Sequence, residues 1–597
     1  MPKIEDYALL GDLHTAALVS SAGSVDWLCL PRFDAPAAFA ALLHNEEAGH
    51  WALAPAGAGH GTARRYAGRT LVLETDWLTS DGAVRVIDFM PPRVGTPHLI
   101  RIVVGLAGHV AMRSLLRLRF DYGRVVPWVR HHDRQVDAIA GPDRVRLVSA
   151  VPLSCQDGDT FADFTVRAGD RVPLVMSWAP GHEPEMPQVD PELALSATTQ
   201  FWTEWSDRAA YRPGPYDDAV DRSIITLKAL TYEPTGGIVA AATTSLPEEL
   251  GGVRNWDYRY CWLRDATYTL QALLAAGFRR EAGAWREWLL RAIAGQPETL
   301  QILYSLDGAR RLPEAELPWL DGYEGSSPVR TGNAASGQLQ LDVWGETLDA
   351  LFLARQAGLP GDPDAWALQV ALMNYLESAW TEPDNGLWEV RGGRQHFTHS
   401  KVMAWAAADR MARSVRGYGL PGPALRWEQL RDQIHHDVVT LAFDAGRNTF
   451  TQAYGSAALD ASLLLIPRVG FLPAADPRVL GTIAAVRREL SDGDLIRRYS
   501  TSKTDDGLKG SEGLFIACSF WLVDALYAAG QRQDAIDLFE RLLGLRNDVG
   551  LLSEEWDPAA QRQLGNTPQA FSHFGLVVSA VGLHMGHMAR SDDPMLT

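Results

Sequence analysis

Long apolar runs are missing from this chain. No stretch of about eighteen uninterrupted apolar residues occurs in its 597 residues, so no membrane-spanning helix and no membrane partner are expected. The opening segment, MPKIEDYALLGDLHT, lacks the basic patch and apolar stretch of a secretory signal, and the expected location is the cytoplasm. Cysteine is scarce: Cys29, Cys155, Cys261 and Cys518 stand far apart and form no C-x-x-C pair, which argues against a zinc ribbon or a redox dithiol. Reduced, mostly buried thiols are expected instead. Basic residues are outnumbered, 55 against 73 acidic, and the net charge of −18 repels nucleic acid and anionic surfaces. A neutral ligand suits that balance better than a polyanion.

What is present is enough apolar material for a large core. With 46% hydrophobic and 21% charged residues over this length, two folded domains are the natural reading. From Leu71 to Pro180 the apolar pattern has period two and is bounded by turns, as in VRVIDFMPP (84–92), LIRIVVGL (99–106), DRVRLVSAV (143–151) and RVPLVMSW (171–178). This predicts an antiparallel β-sandwich. Residues 191–209 switch to helical spacing, RPGPYDD at 212–218 punctuates the chain, and the boundary is placed near residue 210, giving domains 1–210 and 211–597. Beyond it about a dozen helices are predicted, among them 216–231, 265–277, 337–357, 399–415, 511–529 and 567–588. Loops rich in Gly, Trp and charge separate alternate members, which suits a barrel of inner and outer helices with a pocket at one end. No fixed repeat period supports a solenoid.

Three segments carry chemistry. LWEVRGG (387–393) and LLSEEWDP (551–558) each set a carboxylate among bulky apolar residues, and glycosidic hydrolysis by inversion needs one protonated and one ionised carboxyl group on opposite sides of a sugar. Glu389, held against Trp388 away from water, is expected to have its charged form disfavoured and its proton kept for donation. Glu554 and Glu555 compete for the role of base. The third segment, NWDYRYCWLRD (255–265), places Arg264 and Asp265 before an apolar helix; they are candidates to hold sugar hydroxyls, with Trp262 or Tyr258 offering an apolar face to the ring. Asp265 as a plain helix cap is the bland alternative.

NWDYRYCWLRDA, GLWEVRG followed by HFTHSKVMAWAAADR, and GLLSEEWDP followed by LGNTPQAFSHFGL resemble, in that order, the motifs of glycoside hydrolase family 15. The run GSVDWLCLPRFDAPAAFAALL (23–43) resembles the opening of the N-terminal domain of bacterial trehalases in that family. The resemblance implies a β-sandwich packed on an (α/α)6 barrel and an inverting, exo-acting α-glucoside hydrolase. It also implies Glu389 as general acid, Glu554 as general base with Glu555 second in the pair, and Trp262, Arg264 and Asp265 holding the non-reducing glucose.

Further candidates for substrate contact are Tyr258, Trp388, Glu555, Arg330, Arg498 and Gln569, the last on PQAFSHFG near the base together with Phe571 and His573. Lys401 and His399 sit where the family keeps a polar contact after the acid, with loop positioning as the alternative. Thr567 before Pro568, and Trp556, depart from the common family pattern beside the base. The pairs His396/His399 and His584/His587 have metal-like spacing but no third ligand in an H-E-x-x-H pattern, and the Gly-rich run at 57–61 lacks the Lys of a phosphate loop. No cofactor and no metal are expected; a small sugar is the expected ligand, and homo-oligomerisation is left open.

The expected substrate is α,α-trehalose, with a glucoamylase-type or isomaltose-type α-glucosidase as the runner-up. A disaccharide phosphorylase and a non-catalytic sugar-binding protein are the readings from other classes; a base at Glu554 counts against the first. Inversion requires the two carboxyl groups to stand roughly 6.5 to 9.5 Å apart.

Overall fold

The computed structural model describes residues 1–57, 61–183, 185–211, 214–504 and 506–591, so most of the Gly-rich run at 57–61 lies outside the described residues. Up to Pro180 the chain forms a 15-stranded sheet folded into two layers, with antiparallel pairing throughout the described strands. The long strand His98–Arg117 joins the layers. Its first half pairs with Gly82–Phe89 and Arg171–Pro180, its second with His50–Pro55 and Asp159–Arg167. Gly105 and Gly108 lie where it passes from one to the other: a Cβ on Gly105 would meet the Arg167 carbonyl oxygen at 1.9 Å, and Gly108 has φ +60°.

The sheet begins earlier than the alternation predicts. Tyr7–Gly11 and Ala16–Ser20 are buried at every position, so they present a continuous apolar run without the period of two. Helix α1, Pro191–Ser206, then leaves the sandwich. Its first turn is capped by the Asp190 carboxylate, which accepts from the backbone N–H groups of Glu192 and Leu193. Trp205 near its end stacks on Phe278 at 4.2 Å between ring centroids, fastening it to the helical part.

The helices that follow are α2 (Asp217–Ala229), α3 (Leu263–Ala275), α4 (Arg279–Ile293), α5 (Asp342–Gln356), α6 (Pro363–Ala379), α7 (Thr398–Tyr418), α8 (Ala424–Leu441), α9 (Pro477–Leu490), α10 (Ile516–Ala528), α11 (Arg532–Leu543) and α12 (Ala570–Ser591). Helices α3, α5 and α7, the short 3-10 helix Ala461–Leu465, then α10 and α12 each touch the next, and α12 returns to α3. That closed ring is the inner wall. Helices α2, α4, α6, α8, α9 and α11 cover it from outside, completing an (α/α)6 barrel in which the 3-10 helix takes one inner place. Sequence explains the division: α7 and α10 are buried around almost their whole circumference, whereas α11 carries buried residues on one stripe only. Close packing of the inner ring depends on Gly345, where a Cβ would stand 2.3 Å from the Met403 carbonyl oxygen of α7.

Part of the aromatic and charged density of NWDYRYCWLRD is spent on joining sandwich to barrel. Arg259, fully buried, pairs with Asp257 (Nη2 to Oδ2 2.7 Å), donates to the Ala35 carbonyl at 2.9 Å, and lies over the rings of Trp27 and Tyr122. From the other side Trp27 Nε1 donates to the Ala242 carbonyl at 2.8 Å.

Candidate active site

Loops that precede inner helices meet at one end of the barrel and line a pocket. Arg254, Trp256, Tyr258 and Trp262 lead into α3, Asn333 and Ala335 precede α5, 388–391 precede α7, and Arg498, Tyr499, Asp506 and Leu508 precede α10, while 551–569, before α12, lie behind this wall. Two short ribbons brace them: Cys261–Trp262 pairs with Leu303–Tyr304, and Leu514–Phe515 with Glu555–Asp557. Of the residues expected at the site, Tyr258, Trp262, Trp388, Glu389 and Arg498 line the pocket, while Arg264, Asp265 and Glu554 lie behind its wall.

Glu389 sits in a turn with φ +50°, the left-handed region that costs a non-glycine residue and marks a position held by its surroundings. Its Oε1 accepts from Arg264 Nη1 at 3.0 Å and from Trp262 Nε1 at 3.2 Å, and its carbonyl accepts from Gln338 Nε2 at 3.1 Å. The side chain is 22% exposed, facing the pocket. Burial raises its pKa, with Asp265 adding to the rise, and the Arg264 guanidinium only partly offsets this. Arg264 in turn donates to Asp265 Oδ1 at 2.7 Å and the Leu387 carbonyl at 2.6 Å. Asp265 is the third residue of α3, whose N-cap is Trp262, so the plain capping reading does not describe it.

Glu554 is 1% exposed and stands one hydroxyl behind the pocket surface. Tyr258 Oη donates to its Oε1 at 2.6 Å and the Asn566 N–H to its Oε2 at 3.3 Å. Space beside it is kept by Gly565, where a Cβ would come within 2.5 Å of Oε2. Burial, reinforced by Glu248, pushes its pKa up to about 8, against the pull of Arg498 and the two hydrogen bonds. Glu555 begins the next strand and faces away: Oε2 accepts from the Gly513 N–H at 2.8 Å, and Oε1 lies 3.6 Å from Arg498 Nη2. Neither Glu554 nor Glu555 lines the pocket: the Tyr258 hydroxyl stands in front of Glu554, while Glu555 is turned to Gly513 and Arg498.

Arg498 is the hub behind the pocket. Its Nη2 reaches Glu248 Oε2 at 2.7 Å and Glu512 Oε2 at 2.6 Å, so one guanidinium gathers Glu248, Glu512 and Glu555, whose oxygens lie within 4.8 Å of one another. Among the described residues this is the one metal-like cluster of acidic and histidine side chains, and an arginine already supplies its positive charge.

Other expected residues are placed elsewhere. Arg330 is not part of the pocket lining; it donates to the Val253 and Asn255 carbonyls at 3.0 Å and lies over the Trp256 ring, supporting the wall from behind. Lys401 is buried with its ammonium on the carbonyls of Trp380 and Glu382, a loop anchor. Gln569 turns its Oε1 to the Ser572 N–H at 3.1 Å, at the entry of α12. His573 accepts from the Leu552 N–H at 3.2 Å, Phe571 lies under the Arg264 guanidinium, and Thr567 donates its N–H to Thr243 Oγ1 at 3.0 Å. His396 stacks on Tyr454 while His399 faces Glu346 from the barrel interior, so that pair does not converge; the His587 side chain lies outside the described residues.

Pocket residues that the motifs did not single out are Glu248, Arg254, Trp256, Asn333, Arg391, Tyr499 and Asp506. Three had a signal in plain view. Arg254 and Trp256 flank the start of NWDYRYCWLRD, and Arg391 follows the acid by two residues.

The model of glycosyl hydrolases family 15 matches residues 214–581, and that of the trehalase-like N-terminal domain matches residues 1–198. A trehalase of Mycobacterium tuberculosis is 39% identical over 624 aligned residues, covering 99% of this chain and 90% of its own length. A trehalase of Mycolicibacterium smegmatis is likewise 39% identical, covering 99% and 92%. Among solved structures, a bacterial glucoamylase in complex with acarbose superposes with a TM-score of 0.71 over 97% of this chain and 94% of its own, at 12% identity, a likeness of fold.

Proposed function

The chain belongs to glycosyl hydrolases family 15, and from that membership we propose that it hydrolyses α,α-trehalose to two molecules of glucose with inversion at the attacked carbon. The observation that carries the substrate is the likeness to proteins named trehalase over 99% of the chain, the N-terminal domain included. The likeness to a glucoamylase structure concerns the fold and does not favour the longer-chain substrate.

Glu389 is proposed as the acid. The pocket side of its carboxyl is open, burial raises its pKa, and Arg264 and Trp262 hold the other side. Glu554 is proposed as the base: each of its oxygens receives one protein hydrogen bond and keeps a lone pair for the attacking water. As the glycosidic C–O bond breaks, Glu389 gives its proton to the leaving oxygen while Glu554 takes one from the water arriving on the opposite face. Arg264 and Asp265 hold the hydroxyls of the attacked glucose, against the rings of Trp262 and Tyr258. A cytoplasmic site of action is supported by four free cysteines, three of them buried.

Incubation with trehalose, maltose and isomaltose side by side tests the substrate; glucose is expected chiefly from trehalose, and negligible release from it overturns the reading. Proton NMR at early times tests inversion. Equal amounts of β- and α-glucose are expected, since the attacked carbon inverts and the leaving glucose keeps its configuration. Retention would give α-glucose alone.

A further inference from the structure

Two arginine–aspartate pairs stand around the acid, one behind the pocket wall and one on it. The inner one, Arg264 with Asp265, lies at the entry of α3 with Arg264 over Phe571 and in contact with Glu389. The outer one joins Arg254 Nη2 to Asp506 Oδ2 at 2.7 Å. Arg254 follows the partly exposed hairpin tip at 249–253, and Asp506 belongs to the loop before α10. That loop is pinned to the turn of the acid: the Arg391 N–H donates to the Asp506 carbonyl at 2.8 Å, and Gly507, φ +76°, lies so close that a Cβ would meet the Arg391 carbonyl carbon at 2.6 Å.

Both members of the outer pair line the pocket yet are nearly sealed from bulk solvent, at 2% and 3% exposure. Arg254 Nε has no hydrogen-bond partner among the described residues, an unmet donor on a buried guanidinium. The Tyr499 hydroxyl donates to Asp506 Oδ2 at 2.9 Å and fixes the carboxylate. Trp256, two residues after Arg254, also lines the pocket, with the Arg391 and Arg330 guanidinium groups 4.3 and 4.6 Å from its ring centroid. Ring, guanidinium and carboxylate thus occur twice, as Trp262, Arg264 and Asp265 inside and as Trp256, Arg254 and Asp506 outside.

We propose that Arg254 and Asp506 grip the second, leaving glucose of the substrate, an inference that rests on the trehalose reading. Two α-linked glucoses joined through their anomeric carbons present the same hydroxyls at both ends. A site for them needs the same recognition chemistry on each side of the acid, a donor fork and an acceptor carboxylate beside an apolar wall.

The test compares trehalose with α-D-glucosyl fluoride, which carries the first glucose and no leaving sugar. In Arg254→Gln, Asp506→Asn and the double variant, which leaves neither partner charged opposite a neutral one, the ratio of kcat/KM for trehalose to that for the fluoride is expected to fall about 10- to 100-fold. Turnover of the fluoride reports that each variant is folded, and Arg254→Lys is expected to restore only part of the ratio. An equal fall on both substrates would assign the pair to supporting Arg498 and overturn the proposal, as would an unchanged ratio. If the wild type releases glucose from maltose and not from trehalose, the substrate reading fails, and the same ratio measured with maltose still decides whether this pair holds the leaving sugar.

Discussion

Tyr258 Oη donates a 2.6 Å hydrogen bond to Oε1 of Glu554, joining two motifs that lie 296 residues apart. The bond favours the ionised carboxylate, and it opposes the rise that burial and Glu248 impose. Tyr258→Phe removes it and leaves the ring. A hydrogen bond to a charged group contributes about 1.5–3 kcal/mol, so kcat at neutral pH is expected to drop about 10- to 100-fold. The limb of the kcat/KM profile that Glu554 sets should move to higher pH; a profile that stays in place would detach Tyr258 from control of the base.

The two proposed catalytic carboxyls are both shifted upwards, Glu389 by burial and Glu554 to about 8. Turnover needs Glu554 ionised and Glu389 protonated. Raising both pKa values moves the whole bell upward from the roughly pH 4–5 range of ordinary glutamates, so the optimum is expected near neutrality or slightly above it. Glu248→Gln, by deleting the charge that helps to raise Glu554, should move the limb set by Glu554 to lower pH, provided that melting shows the variant folded. An optimum below pH 5 in the wild type would contradict the environment described for Glu554.

Glu389→Gln keeps the shape of the acid and its contacts with Arg264 and Trp262 but has no proton to give. Trehalose hydrolysis should fall at least about 100-fold. The loss on α-D-glucosyl fluoride should be smaller, because fluoride leaves with little protonic help. Equal losses on the two substrates would point to damaged binding rather than a missing acid.

The helical half was legible because the helices obey local rules: the predicted segments 216–231 and 265–277 agree with α2, Asp217–Ala229, and α3, Leu263–Ala275, to within about two residues at each end. The inner 3-10 helix Ala461–Leu465 was not, since five residues carry no 3.6-residue periodicity. Nor were the first strands, which are buried on both faces. At the site, Glu389 stood out by its company of aromatic residues, whereas the residues alone left Glu554 and Glu555 open and the order of the family motif put the base at Glu554. Arg330, Lys401 and Gln569 show the converse: a polar residue near a motif reads as a ligand contact until its backbone partners are seen. Arg254 and Asp506, 252 residues apart, become a pair only through the fold.

Two buried arginines separate stability from function. Arg101 pairs with Asp88 inside the sandwich and donates to the Trp51 and Gly23 carbonyls at 2.7 and 2.8 Å, far from the pocket residues. Arg259 pairs with Asp257 at the join between sandwich and barrel, and Asp257 Oδ2 also accepts from the Gly332 N–H at 3.1 Å, next to Asn333 on the pocket wall. Removing either arginine strands a buried carboxylate at a cost of about 3–5 kcal/mol. Arg101→Met and Arg259→Met should therefore both lower the denaturant midpoint. Only the second should also lower kcat/KM in the protein that remains folded, because it frees Asp257, and with it the segment that carries Asn333. Equal kcat/KM in the two variants would mean that the pocket is held without the interdomain pair.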